Sequence, residues 1–291
     1  MSRSKSFAFI IVVYFIALAA SVPVLKHLKG EAYWNVLAAD LAATLVVFIA
    51  SVAVNNSSMY DAYWSVAPPV IAAYLLVPPT HLRHWLAFGL VVLWAIRLTA
   101  NWARSFEGLT HEDWRYVNIR QQTGRAYWVA SFFALHLFPT LIVFAALLPL
   151  WHIGANAAPL NGIDVLASVL GYGAVFIEWL ADEQLREFRV NPLNAGKPID
   201  SGLWRHSRHP NYLGEIGFWW GLGLFGFASF REPSPGAAIW TLSGAIAIHL
   251  MFVLATIPMA EKHALRRRPE YAGRIKKTRM LLPFPRRAAK A

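Results

Sequence analysis

Eight apolar runs dominate this chain, at about 6–25, 35–54, 63–79, 85–103, 126–151, 162–181, 211–230 and 236–259. A helix needs about 20 apolar residues to cross the hydrocarbon of a bilayer, and in lipid a helix meets every backbone N–H and C=O need internally. The runs therefore predict an all-α fold, a polytopic membrane bundle of seven or eight transmembrane helices. Two runs leave the count open. The third is short and bounded by Pro68-Pro69 and Pro78-Pro79, and the seventh holds five glycines from Gly214 onward. Ala17-Leu-Ala19 has the small-x-small form of a leader cleavage site but lies inside the first run, so that run is expected to be an anchor. Composition agrees. Charged residues make up 15% of the chain, against about a quarter in a soluble domain. A chain with 13 Trp is no disordered segment. Zero Cys excludes a disulfide scaffold, a thiolate zinc site, an iron–sulfur cluster and a cysteine nucleophile.

The net charge of +11 is concentrated in one place. From Lys262 to Ala291 there are 11 Lys/Arg against a single acid, Glu270. A basic tail after an apolar run suits the anionic cytoplasmic leaflet better than a nucleic acid, and none is expected as partner. Connectors 104–125 and 182–210 hold four and five Lys/Arg, while 152–161 and 231–235 hold none and one. Under the positive-inside rule, segments 104–125, 182–210 and 260–291 of a single membrane domain (1–291) face the cytoplasm of a bacterial inner membrane. The short connector 55–62 belongs near the same face.

Four polar clusters stand out. Glu178, Asp182 and Arg186 fall on one helix face at the end of the sixth run, with Glu183, Glu187 and Arg189 beside them. Carboxylates that deep usually mark sites, although an ion-paired helix end explains them about as well. The densest cluster runs from Ser201 to Glu215 and contains Arg205, Arg208, His209, Asn211, Tyr212 and Glu215. Pro210 suits a first helical turn, and a helix start beside arginines attracts phosphate. A third cluster opens the tail with Glu261, Lys262, His263, Arg266-Arg-Arg268, Tyr271 and Arg274. A fourth, His111–Arg120, reads as a mixed-charge surface connector. Gly221-Leu-Gly-Leu-Phe-Gly226 matches GxGxxG but lies inside an apolar run, so close helix packing explains it better than a dinucleotide fold. The His81–His84 and His206–His209 pairs are too few for a membrane di-iron site and lie on opposite predicted faces, so no metal is expected.

The stretch Ser201-Gly-Leu-Trp…Arg208-His-Pro-Asn-Tyr-Leu-Gly-Glu215, then a last apolar run, a basic segment with Tyr271 and Leu282-Pro-Phe284, resembles the C-terminal region of the steroid 5α-reductase family, and its bacterial branch most of all. Sterol C14-reductases and isoprenylcysteine carboxyl methyltransferases carry a similar Arg-His-Pro-x-Tyr-x-Gly segment. The resemblance implies a membrane oxidoreductase that takes NADPH from the cytosol and reduces the double bond of a 3-oxo-Δ4-steroid. It implies cofactor contacts from Asp182, Arg189, Asn211, Tyr212 and Glu215, with Arg186, Arg205, Arg208, His209, Lys262, His263 and Tyr271 around them. A Gln-Glu pair that faces the steroid ketone in the animal enzymes aligns with Tyr60-Asp61, which makes these the expected catalytic residues. A family tyrosine falls near Trp94, one turn before Arg97. Trp94, Arg97 and Tyr63 are therefore expected at the substrate, with Tyr60 or Tyr63 as the replacement proton donor.

Hydride reduction of an enone builds negative charge on the carbonyl oxygen, so a donor must meet it. Asp61 can donate only when protonated, a state that apolar surroundings favour; its alternative reading is a hydrated cap. The expected partners are membrane lipid and a steroid-like substrate, and the expected state is a monomer. An S-adenosylmethionine-dependent methyltransferase of a prenylated or lipid substrate is the other enzymatic reading, and a transporter or lipid-binding protein the non-enzymatic one. The first needs fewer arginines because its cofactor has no phosphate.

Overall fold

The computed structural model describes residues 1–28, 31–156, 158–232 and 234–283, so Phe284 and the last basic residues of the tail lie outside the described residues. Every regular element among the described residues is helical, apart from one isolated bridge between Ser207 and Arg279. Two compact units divide the chain, Met1–Ala155 and Asn156–Ala291.

In the first unit, α1 (Arg3–His27) starts at a Ser2 cap whose side chain accepts from the Lys5 amide, and α2 (Ala32–Ala53) packs along it. A 3₁₀ turn, Ser57–Tyr60, capped by Asn56, leads into α3 (Tyr63–Leu76) and α4 (Leu82–Ser105). Next come α5 (Trp114–Thr123) and α6 (Tyr127–Ser131), which passes through a π-helical stretch, Phe132–Leu137, into α7 (Phe138–Ala155). The second unit holds α8 (Gly162–Val190), started by a capping box of Asn161 and Asp164. It continues through α9 (Leu203–His206), α10 (Pro210–Ala228) and α11 (Pro235–Met251), then α12 (Ile257–Arg267) and α13 (Tyr271–Lys277).

Among the described residues, six helical stretches are long and apolar enough to cross a membrane: Arg3–His27, Ala32–Ala53, Leu82–Ser105, Trp114–Ala155, Gly162–Val190 and Pro235–Arg267. They are the first, second, fourth, fifth, sixth and eighth runs. The third and seventh runs, the two that leave the expected count at seven or eight, are not among them. The third run yields only the 14 residues of α3, about 21 Å of helix. The seventh yields α10, whose 19 residues include Asn211 and Glu215 as well as its glycines. Burial is inverted relative to a soluble protein, as lipid requires. Phe15, Val169 and Ile239 are exposed, whereas Thr44, Ser51, His136, Asp164 and Glu178 are buried.

The glycines of α10 fit that helix against α8. A Cβ on Gly221 would lie 2.5 Å from the Gly171 Cα, and one on Gly217 2.8 Å from the Ala174 Cβ. The GxGxxG stretch is thus a packing surface, and it brings the two helices' polar ends together.

Candidate functional site

The first unit carries a buried polar connector and a hollow. Residues 55–61 are covered by the 104–125 connector, which a reading from composition alone placed at the surface. Asn56 donates through Nδ2 to the carbonyls of Leu109 and His111, both at 2.9 Å. The Ser57 amide donates to Glu112 Oε1 at 2.8 Å, and Arg120 pairs with the same carboxylate at 3.1 Å. Asp61 accepts a hydrogen bond from the Tyr116 hydroxyl and has the Arg115 guanidinium 3.9 Å away. Burial pushes the Asp61 carboxyl up to about 6, against the pull of Arg115 and Tyr116. A carboxyl so placed stays protonated far closer to neutrality than a free one.

Tyr60 points into the unit. Its hydroxyl bonds Thr140 Oγ1 at 2.7 Å, Thr140 bonds Thr44 Oγ1 at 2.9 Å, and the ring lies against His136 on the π-helical stretch. Such stretches recur at functional sites. Tyr63 donates to Asp40 Oδ1 at 2.7 Å. Both line an apolar hollow of about 540 Å³ between α1, α2 and α3. Of the residues expected at a substrate, Tyr63 lines this hollow; Trp94 and Arg97 do not. Trp94 is buried on α4, with its ring against Trp64. Tyr60 and Asp61 lie outside the wall as well.

In the second unit the rim is assembled by Arg208. Its buried guanidinium donates Nε to Glu261 Oε1 at 2.6 Å and Nη1 to the carbonyls of Ile275 and Thr278. Main-chain bonds from Arg208 and His209 to Arg279 and Met280 close the same junction. His209 Nε2 meets Glu261 Oε1 at 3.0 Å, and its ring stacks on Tyr212 at 5.2 Å. Arg208 and His209, both expected at a cofactor, thus hold α12 and α13 against the start of α10. Arg274 donates to the Trp204 carbonyl, and burial lowers its pKa. Tyr271 is pushed up to about 12 by burial and by Glu261.

Around this junction lie the groups with capacity for a ligand. Asn211 Oδ1 is buried without a hydrogen-bond partner in the first turn of α10. Glu215, one turn on, is buried and accepts from Trp219 Nε1 at 2.8 Å. Arg189 makes no hydrogen bond or ion pair among the described residues; its electrostatic neighbours are Arg268, Asp182 and Tyr212. Arg205 and Lys262 are exposed, and His263 is half-buried. Arg186 points to solvent, paired with Glu183 at 2.6 Å. Among the described residues no cluster of three His, Cys, Asp or Glu side chains is arranged to hold a metal.

Three contributors escaped the sequence reading. Asp40 carried a signal, as the only charged residue in the run 35–54. Tyr116 and Thr140 carried none, since a hydroxyl in a connector or an apolar run gains meaning only from what it touches.

Fold and site together define a polytopic helical membrane protein with a polar, basic helix-end junction in one unit and an apolar hollow in the other. Residues 47–278 match the family model described as "Protein of unknown function (DUF1295)", and the chain belongs to that family. The uncharacterized protein C594.04c of Schizosaccharomyces pombe (strain 972 / ATCC 24843) is 27% identical over 220 residues, which are 68% of this chain and 62% of that protein. The chain thus spans less than two thirds of that relative's length. No solved structure matches it.

Proposed function

We propose that this chain is a membrane oxidoreductase that uses NADPH to reduce the C4–C5 double bond of a 3-oxo-Δ4-steroid or a similar lipophilic enone. One observation carries the reading: the buried, partnerless Asn211 Oδ1 at the start of α10, with Arg189 and Arg268 as like-charged neighbours nearby. A buried acceptor without a donor costs about 1–3 kcal/mol, which an amide or ribose hydroxyl of a ligand removes. Two guanidinium groups held together favour a phosphate between them. A phosphorylated dinucleotide meets both needs; S-adenosylmethionine meets only the first. NADPH, when bound, supplies a hydride. Asn211 and Glu215 orient the cofactor, Arg189, Arg268 and the exposed Arg205 and Lys262 neutralise its phosphates, and Arg208 keeps the junction assembled. The donor that answers charge on the substrate oxygen is a protonated Asp61, oriented by Tyr116.

Sidedness supports a cytosolic cofactor and an inner-membrane location. Connector 55–61 is hydrogen-bonded to connector 109–113, so α3 and α4 leave one face and return to it. Because α4 is long enough to cross, we read α3 with its proline-rich extension as crossing too. The start of α10 is bonded to Glu261 and Thr278, which makes α10 and α11 a second such pair. On this reading the chain crosses eight times, the upper of the two expected counts.

The test uses the full chain in detergent or nanodiscs. NADPH at a hundred times its Kd adds about 2.7 kcal/mol of stability and raises the melting temperature, while S-adenosylmethionine leaves it unchanged. With NADPH, progesterone gains two mass units. Asn211→Ala and Glu215→Ala lose cofactor affinity, while Asp61→Ala keeps it and loses turnover. Equal cofactor loss in all three variants, or no reduction of any 3-oxo-Δ4-steroid, refutes the assignment.

A further inference from the structure

The lining of the hollow in the first unit includes one carboxyl, and that group's hydrogen bonding is incomplete. Its walls are side chains of α1, α2 and α3, almost all aliphatic or aromatic, around a volume of about 540 Å³. That lies within the range of sites that enclose a small molecule. Phe15 and Val22 of α1 and Val70 and Tyr74 of α3 line it and are also exposed, so its mouth lies on the lipid-facing surface. Asp40 sits in the wall at 8% exposure. Its Oδ1 accepts from the Tyr63 hydroxyl at 2.7 Å, and its Oδ2 has no hydrogen-bond partner among the described residues.

A carboxyl oxygen facing an apolar hollow inside a membrane helix is costly and rare. Tyr63 satisfies only one of the two oxygens. The remaining one accepts from a hydroxyl or, when the acid holds its proton, donates to a ketone. We infer that the hollow is a lateral binding site for a lipophilic molecule with one oxygen function at the end of a rigid apolar body, anchored by Asp40 and Tyr63. Such a molecule enters from the membrane between α1 and α3, its body against the aliphatic walls and its oxygen at Asp40 Oδ2. The inference rests on the reductase reading only in the choice of a ketosteroid as probe; the hollow is a membrane-side binding site apart from Asp61, which lies outside its wall. An acyl chain of bulk lipid fills the same walls but makes no use of the acid.

Equilibrium binding of radiolabelled 5α-androstan-3-one (whose one oxygen is a ketone) and 5α-androstan-3β-ol (its hydroxyl counterpart) to the full chain in nanodiscs decides the matter. Wild type binds at least one of them saturably, and which one tells whether the acid donates or accepts. Asp40→Leu weakens that binding about tenfold or more, Tyr63→Phe by a smaller factor, and Ala43→Trp, which fills the hollow, abolishes it. Asp40→Asn, which keeps the shape, guards against misfolding: it preserves the gel-filtration profile and still changes the preference between the two probes. Absence of saturable binding of both steroids, or binding unchanged in both Asp40→Leu and Ala43→Trp, overturns the site. NADPH binding measured on the same samples separates the two proposals. Its loss with the steroid pattern intact refutes the reductase and leaves the hollow standing, and the converse refutes the hollow alone.

Discussion

Replacing Gly221 with alanine adds one methyl where two helix backbones touch. The new carbon would lie 2.5 Å from the Gly171 Cα, 2.8 Å from the Gly171 nitrogen and 3.1 Å from the Ala167 carbonyl oxygen. Carbon atoms rest about 3.5–4.0 Å apart, so α8 and α10 must separate by about 1 Å. No flexible side chain can absorb that shift, because every near atom is backbone. Overpacking costs about 1–3 kcal/mol, and the better helix propensity of alanine returns about 1 kcal/mol at most. The net loss of up to about 2 kcal/mol lowers the melting temperature by up to about 8 °C in a unit of this size. Gly173, on α8 itself, has nothing within 4 Å of its would-be Cβ. Gly173→Ala therefore raises the melting temperature slightly, from propensity alone. Thermal unfolding in detergent, followed by far-ultraviolet circular dichroism, reads both variants. A Gly221→Ala protein that melts at or above wild type would refute the claim that these glycines serve backbone contact.

Asp61 makes stability depend on pH. Its carboxyl is raised from an ordinary 3.8 to about 6, so the folded chain binds that proton more tightly than the unfolded one; the stabilisation is complete below about pH 4 and is lost as pH rises through about 6. Asp61→Asn therefore gains on wild type in melting temperature between pH 4 and pH 7, and a difference constant across that range contradicts the placement. Arg208→Ala leaves Glu261 without its closest cation and two carbonyls without a donor. A loss of about 3–5 kcal/mol is expected for breaking a buried pair, with faster trypsin cleavage between α12 and α13; unchanged proteolysis would show that the junction is held some other way.

How much was legible in the sequence follows from what each signal depends on. Apolar length is a property of consecutive residues, so the all-helical class and six of the spans are readable directly. The two irregular runs became α3 and α10, the helices whose polar or proline-rich stretches serve contacts rather than lipid. Asn211 and Glu215 share a turn of one helix, and their pairing is likewise visible in spacing. Arg208 and His209 were expected to face a cofactor, because a basic pair beside a helix start looks the same whether its partner is a phosphate or Glu261, 53 residues away from Arg208. The burial of connector 55–61 depends on contacts with residues about 50 positions on, which no local pattern records. Asp40 was legible by the rule already applied to Glu178, that a carboxylate inside an apolar run needs a reason.

The hydroxyl chain of the first unit gives that rule a sharper form. Tyr60, Thr140 and Thr44 satisfy one another inside the helices, and Thr140 also donates to the His136 carbonyl at 2.8 Å. Ser57, Tyr127 and Ser131 do the same beneath the connector, at 2.6 and 2.9 Å. A polar network closed in this way locks helices together and asks nothing of a ligand. Asp40 is different, because Tyr63 meets one of its oxygens and the other is open to the hollow. Asn211 shows the same pattern in the second unit, where the rim around it is densely bonded and its Oδ1 is left over. Packing alone would have favoured leucine at both positions, since an apolar side chain fills the space without the cost of an unmet polar atom. Unmet capacity inside an otherwise satisfied network is therefore what separates structural polarity from functional polarity in this chain, and by that criterion the two atoms to probe first are Asp40 Oδ2 and Asn211 Oδ1.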